Sequence, residues 1–175
     1  MITARARAGA AAVNAGDPQT HRMVVVGGAT GALVLSDGEQ YDVTSDRWPA
    51  LEACLSKPMW CRAVPISAGG SAVLAVQLRS RDRSSTISRC ELLDVRANGS
   101  SWTRVAPAPL LRGSPAVAAV GENTVLLLGG SDEADCATST VWLFDLCANA
   151  WRERPEWEMP CAAAQHCATL LSPPI

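Results

Sequence analysis

Apolar residues in this chain gather in short runs set between polar and turn-forming stretches. Two of them, Met23-Val24-Val25-Val26 and Val125-Leu126-Leu127-Leu128, have strand length and end in glycine pairs, Gly27-Gly28 and Gly129-Gly130, that lie 102 residues apart. Half that distance is 51 residues, and a step of 51 from the first pair lands on Leu78-Arg79, directly after the apolar run Ala72-Val73-Leu74-Ala75-Val76. The middle copy keeps the strand and loses the glycines, so Arg79 predicts a changed turn there. An apolar-Asp step follows each run, at Tyr41-Asp42, Leu93-Asp94 and Phe144-Asp145, and a tryptophan follows each step, at Trp48, Trp102 and Trp151. An arginine ahead of a small-residue strand supplies a fourth marker, at Arg7, Arg62 and Arg112. The markers share one period near 50 residues, which predicts repeated units rather than one irregular core.

A glycine pair after one strand, an apolar-Asp step in the next and a tryptophan soon after resemble the kelch repeat, whose blades are four-stranded antiparallel sheets of a β-propeller. The resemblance covers nearly the whole chain. It implies an all-β fold of about three four-stranded blades plus one extra strand, an incomplete propeller forming one domain over 1–175. The blades are placed at about 7–55, 62–108 and 112–157, and the start of a fourth at 161–171. Position alone assigns that last segment to strand, because Cys161-Ala162-Ala163-Ala164 has helical propensity. Each marker has a physical reason. The glycines permit positive φ and close backbone approach, the aspartates accept from turn amides, and each tryptophan opens the fourth strand with a large surface for packing between blades.

Composition narrows the function. Charged residues are 18% of the chain and the formal net charge is −2, which gives no pull toward nucleic acid or anionic membrane. Seven cysteines without a CxxC spacing or an obvious secretory signal predict reduced, mostly buried thiols, and no apolar run reaches spanning length, so the expected setting is cytoplasmic. Arg5 and Arg7, with no acidic residue before Asp17, have the charge pattern of a mitochondrial presequence, but the repeat assigns that segment to structure.

Candidate chemistry is sparse. His21, His166 and Tyr41 are the only residues of their kinds, too few for the copper site of a galactose-oxidase-type propeller. Cys161, His166 and Cys167 match no zinc spacing and are read as packing residues, so neither metal nor cofactor is expected. Gly28-Ala29-Thr30-Gly31 lacks the Lys-Ser/Thr and helix of a phosphate loop and reads as a turn, as does Asn98-Gly99-Ser100.

In a four-stranded meander the connection between strands two and three shares a face with the link to the next blade. Blade two places Arg79, Arg81, Arg83 and Arg89 there, blade three Asp132, Glu133 and Asp135, and Arg62 and Arg112 enter the same face. The bland outcome is that these loops pair with one another or merely stay solvated. The sharper outcome is a protein-interaction scaffold that takes an acidic or phosphorylated peptide on Arg62, Arg79, Arg81, Arg83 and Arg112, since kelch propellers commonly receive partners on a loop face. The alternative is a piece of a kelch-propeller enzyme acting on a sugar, of the mutarotase or oxidase type, for which only Arg62, Arg112, Glu52 and Glu91 are at hand. Three blades and a strand close no ring of the usual four to eight. The sequence therefore predicts a truncated or partial propeller, a piece of a larger assembly, or half of a dimer whose units make six blades, with open edges prone to self-association.

Overall fold

The computed structural model describes residues 1–14, 21–51, 55–56, 58–66, 71–79, 87–95, 102–109, 113–132 and 134–169. Among the described residues thirteen strands account for the regular structure, apart from one 3-10 turn at Pro155–Trp157. The first sheet contains β1 (Gly9–Asn14), β2 (His21–Val26) and β5 (Gly38–Asp42), with a small hairpin, β3 (Ala29–Thr30) and β4 (Leu33–Val34), between the last two. The second sheet is the meander β6 (Trp60–Ile66), β7 (Ala72–Arg79), β8 (Ile87–Asp94) and β9 (Trp102–Pro109). The third is the meander β10 (Ala116–Ala119), β11 (Thr124–Leu128), β12 (Val141–Asp145) and β13 (Ala150–Glu153). All pairing is antiparallel, so the sheets are successive blades of an incomplete propeller.

The core lies between blades. Ala11, Val13, Val24 and Val26 of blade one meet Ala63, Val73, Ala75 and Leu93 of blade two, with Trp102 packed against them. Val64, Ile66, Leu74 and Val76, on the opposite side of blade two, meet Val117, Val125, Leu127 and Phe144 of blade three, with Trp142 and Trp151 alongside. Strand alternation produces this arrangement, because successive side chains serve opposite faces and a central blade is apolar on both. At each of the two interfaces the earlier blade receives a tryptophan from the next, Trp102 toward blade one and Trp151 toward blade two.

Four sequence expectations change in detail. In blade one the fourth strand is reduced to bridges at Asp42↔Arg47 and Glu39↔Ala50, since Pro49 lies between them and has no N–H for a ladder. In blade two β7 runs on through Arg79, which pairs with Trp60 across an irregularity, where blades one and three turn at their glycines. The arginine marker shares the period but not the place. Val26, Val76 and Leu128 occupy one position in their blades and pair with Gly9, Arg62 and Ala116, so Arg62 lies within its strand while Arg7 precedes its own. Finally, 161–169 contains no strand, only the bridge Thr138↔Ala163, because nothing among the described residues lies beside it as a second strand of its own blade.

That segment nevertheless takes the route of a next blade's lead-in. Gly28 donates its N–H to Met59 O at 2.9 Å, and Met59 donates to Leu35 O at 3.1 Å. In blade three, 102 residues on from Gly28, Gly130 donates to Ala163 O at 2.8 Å and Ala163 to Thr138 O at 3.0 Å. Gly27 and Gly129 have φ of 63° and 60°, and a Cβ on Gly27 would sit 2.5 Å from Met59 O. The glycine pair is the socket for the next blade's chain.

Candidate functional site

The face formed by the lead-ins, the glycine turns and the connections between strands two and three carries the candidate groups. Its first layer is structural. Glu39 in β5 is buried and accepts from the N–H of Ile2 at 2.5 Å and of Thr3 at 2.9 Å, while Arg5 Nη2 reaches it at 3.1 Å. The Arg5 side chain is 1% exposed and also donates to the carbonyl oxygens of Gly27 and Asp37. Burial alone would raise the Glu39 carboxyl, but the two amides and the guanidinium outweigh it and hold its pKa below the ordinary value. Arg5 is therefore built into blade one.

Glu91 of β8 repeats the device. It is fully buried and accepts from Ser56 N at 2.9 Å and Ser56 Oγ at 2.5 Å, both on the lead-in of blade two. Sequence reasoning offered Glu91 as a pocket group, and the structure assigns it to holding the chain instead. Its companion Glu52 lies outside the described residues. The signal for the clamp is visible in retrospect, since Glu39 and Glu91 each stand three residues before the repeat aspartate, where blade three has Trp142.

The second layer is available for binding. Arg7, exposed and with φ of 57°, lays its guanidinium over the Trp60 ring at 4.8 Å. Half-buried Arg62 extends Nη2 to His166 O at 3.5 Å, and its Nε is buried without a partner among the described residues. Both ring nitrogens of His166 are in the same condition. Arg7 thus meets Trp60, and Arg62 meets the His166 carbonyl, near where the inner strands β1 and β6 begin. Arg79 ends β7, whereas Arg81, Arg83 and Arg112 lie outside the described residues, as does Glu133. Arg89 is half-buried within β8. Asp132 turns inward on its own loop, accepting from Ala134 N and Cys136 N at 2.9 Å.

The cysteines divide in a way composition did not foretell. Cys61 and Cys90 are buried, and burial pushes each thiol up to about 12, where it is neither nucleophile nor ligand. Cys136, Cys147, Cys161 and Cys167 are exposed, against the expectation of mostly buried thiols. Among the described residues no group of three His, Cys, Asp or Glu side chains converges as a metal site, and no helix is long and apolar enough to cross a membrane. Gly31, with φ of 54°, turns the β3–β4 hairpin, so the glycine-containing stretch that superficially suggests a phosphate loop is a hairpin.

Comparison with known proteins agrees with this architecture. The Kelch motif family matches residues 112–156, the span of blade three. A solved structure titled "Structure of YjhT" aligns with a TM-score of 0.62 at 14% identity, over 91% of this chain and 54% of that one. The chain therefore spans about half the length of that structure. No curated protein sequence matches it.

Proposed function

We propose that this chain, a run of kelch-type propeller blades, is a protein-binding scaffold that takes an acidic or phosphorylated segment of its partner on the face where the inner strands begin. The observation that carries this reading is the presence of two arginines near the start of β1 and β6, Arg7 against Trp60 and Arg62 against the His166 carbonyl. One guanidinium belongs to an exposed residue and lies 4.8 Å from the centre of an indole ring, and the other has a buried Nε without a partner among the described residues. A planar guanidinium in such a place suits bidentate recognition of carboxylate or phosphate. The repeat in the sequence leads us to expect Arg81, Arg83 and Arg112 to contribute to the same binding.

Binding rather than catalysis is favoured because the groups a reaction would draw on are engaged elsewhere. Glu39 and Glu91 hold lead-in segments, and Cys61 and Cys90 are buried thiols. The test is titration of the full chain with acidic and phosphorylated peptides by fluorescence anisotropy. Arg7→Ala and Arg62→Ala each weaken binding by about 10- to 100-fold, the value of one hydrogen bond to a charged group, about 1.5 to 3 kcal/mol. The joint Arg81→Ala and Arg83→Ala change weakens it further, and added salt weakens it throughout. Affinity indifferent to salt and to all four arginines refutes the reading, and turnover of a sugar by the unmodified chain would favour the enzyme alternative.

A further inference from the structure

The interface between blades two and three contains a clamp for a single residue's backbone, and the same clamp recurs in blade one on an open groove. In blade three Asn149 and Trp151 grip one residue of β9. Asn149 Oδ1 accepts from Ala106 N at 2.8 Å, and Trp151 Nε1 donates to Ala106 O at 3.0 Å. The β8–β9 register, which pairs Val105 with Cys90 and Ala108 with Ser88, passes over Ala106. An extended residue directs its N–H and C=O to the same side, so the two side chains do for Ala106 what a neighbouring strand would do. Pro107 helps, because the residue before a proline is biased toward extended backbone. Val105 and Ala106 also pack, with Trp151, against the second apolar layer.

Blade one repeats the clamp with a stronger acceptor. Asp46 and Trp48 stand two residues apart, as Asn149 and Trp151 do, and Asp46 and Asn149 have φ of 52° and 46°. The ring pairs Tyr41–Trp48 and Phe144–Trp151 share one geometry, centroids 5.0 Å apart and planes at 35°. Asp46 Oδ1 accepts from Tyr41 Oη at 2.6 Å, and a carboxylate has lone pairs for further donors, each bond charge-assisted where Asn149 offers a neutral amide. The Trp48 indole belongs to neither apolar layer. With Asp46, Met1, Ile2 and Pro49 it lines an open groove of about 540 Å³, in which Met1 and Ile2 are exposed apolar side chains.

We propose that the Trp48 groove binds an extended segment of a partner protein in which a small residue precedes proline, Asp46 taking that residue's N–H and Trp48 its C=O. The filled clamp on blade three supports the choice, since its own occupant is Val105-Ala106-Pro107. A small side chain lets the backbone reach both groups, the proline keeps that residue extended, and apolar neighbours meet Met1, Ile2 and Pro49. The ligand needs no carboxylate or phosphate, so this site differs in chemistry from that of Arg7 and Arg62.

Nuclear magnetic resonance titration of the isotope-labelled full chain with the peptide Thr-Arg-Val-Ala-Pro-Ala-Pro, the sequence of residues 103–109, tests this. The Trp48 indole N–H signal, identified by its loss in Trp48→Phe, moves downfield and saturates, while that of Trp151 stays, since its acceptor is already in place. Trp48→Phe keeps a ring beside Tyr41 and weakens binding by about 2- to 10-fold, the value of one neutral hydrogen bond. Asp46→Gly, which tolerates the positive φ, weakens it by about 10- to 100-fold, and Asp46→Asn recovers most of that loss. N-methylalanine in place of the peptide's first alanine costs as much as Asp46→Gly, and the two together cost no more than either. That peptide keeps the test open should a variant fail to fold. A Trp48 signal that the peptide leaves unmoved overturns the proposal. So does one that moves with chain concentration alone, which puts a second copy in the groove, or a shift at Trp151 instead, which puts the peptide in the filled clamp.

Discussion

Glu39 shows how much one side chain can organise. Its carboxylate ties the lead-in at Ile2 and Thr3 and neutralises Arg5, which is itself buried. Because its folded pKa lies below the ordinary 4.5, the stability it confers is complete above that value and is lost as pH falls through the lower folded value. Urea titrations across acidic pH will show this loss, and Glu39→Gln will flatten it while destabilising the neutral protein by about 1.5 to 3 kcal/mol, the value of a hydrogen bond between charged groups, since the buried Arg5 then keeps only its longer ion pair to half-exposed Asp37. Gly27→Ala destabilises by another route. Its positive φ and the Met59 carbonyl leave no room for Cβ, at about 1 to 3 kcal/mol for the overpacking. The thiols divide as their exposure dictates. Brief alkylation of the native protein followed by mass spectrometry will find Cys136, Cys147, Cys161 and Cys167 modified, and Cys61 and Cys90 intact until the chain unfolds.

At the scale of the strand, the three repeat tryptophans share a position and differ in what they touch. Each is half-buried and pairs across its hairpin with the residue before the repeat aspartate: Trp102 with Leu93 and Trp151 with Phe144 in register, and Trp48 with Tyr41 by ring contact. Trp102 and Trp151 also pack into the apolar layers, so replacing either with Ala will destabilise by about 3 to 5 kcal/mol. Trp48→Ala loses little beyond its ring pair, about 0.5 to 1.5 kcal/mol. Chemical denaturation of the three variants will rank them, and an equal loss at Trp48 would mean that its groove is filled within the chain.

At the scale of the molecule, blade two is the keystone because both apolar layers rest on it. In such an array stability is close to a sum of blade and nearest-neighbour terms, so the middle unit opens last. Native-state hydrogen exchange will therefore be slowest for the amides of β7, whose Val73, Leu74, Ala75 and Val76 are fully buried, and faster for β1 and β12. Exchange at β12 as slow as at β7 would show that the outer faces are already covered.

The period of about 50 residues, most of the strands, the glycine turns and the place of the tryptophans were legible in the chain. They are local patterns, set by alternation along a strand and by backbone freedom at single residues. Tertiary structure decided what depends on a partner far along the sequence. The amides that meet Glu39 and Glu91 come from segments more than thirty residues away, and the carbonyl that Arg62 approaches is 104 residues away. The same holds for Arg5, an ordinary N-terminal arginine in the sequence and a buried ion in the fold. It holds also for the segment after Cys161, which follows a lead-in's path through its bonds to Gly130 and Thr138 without forming a strand, because a strand exists only when another lies beside it.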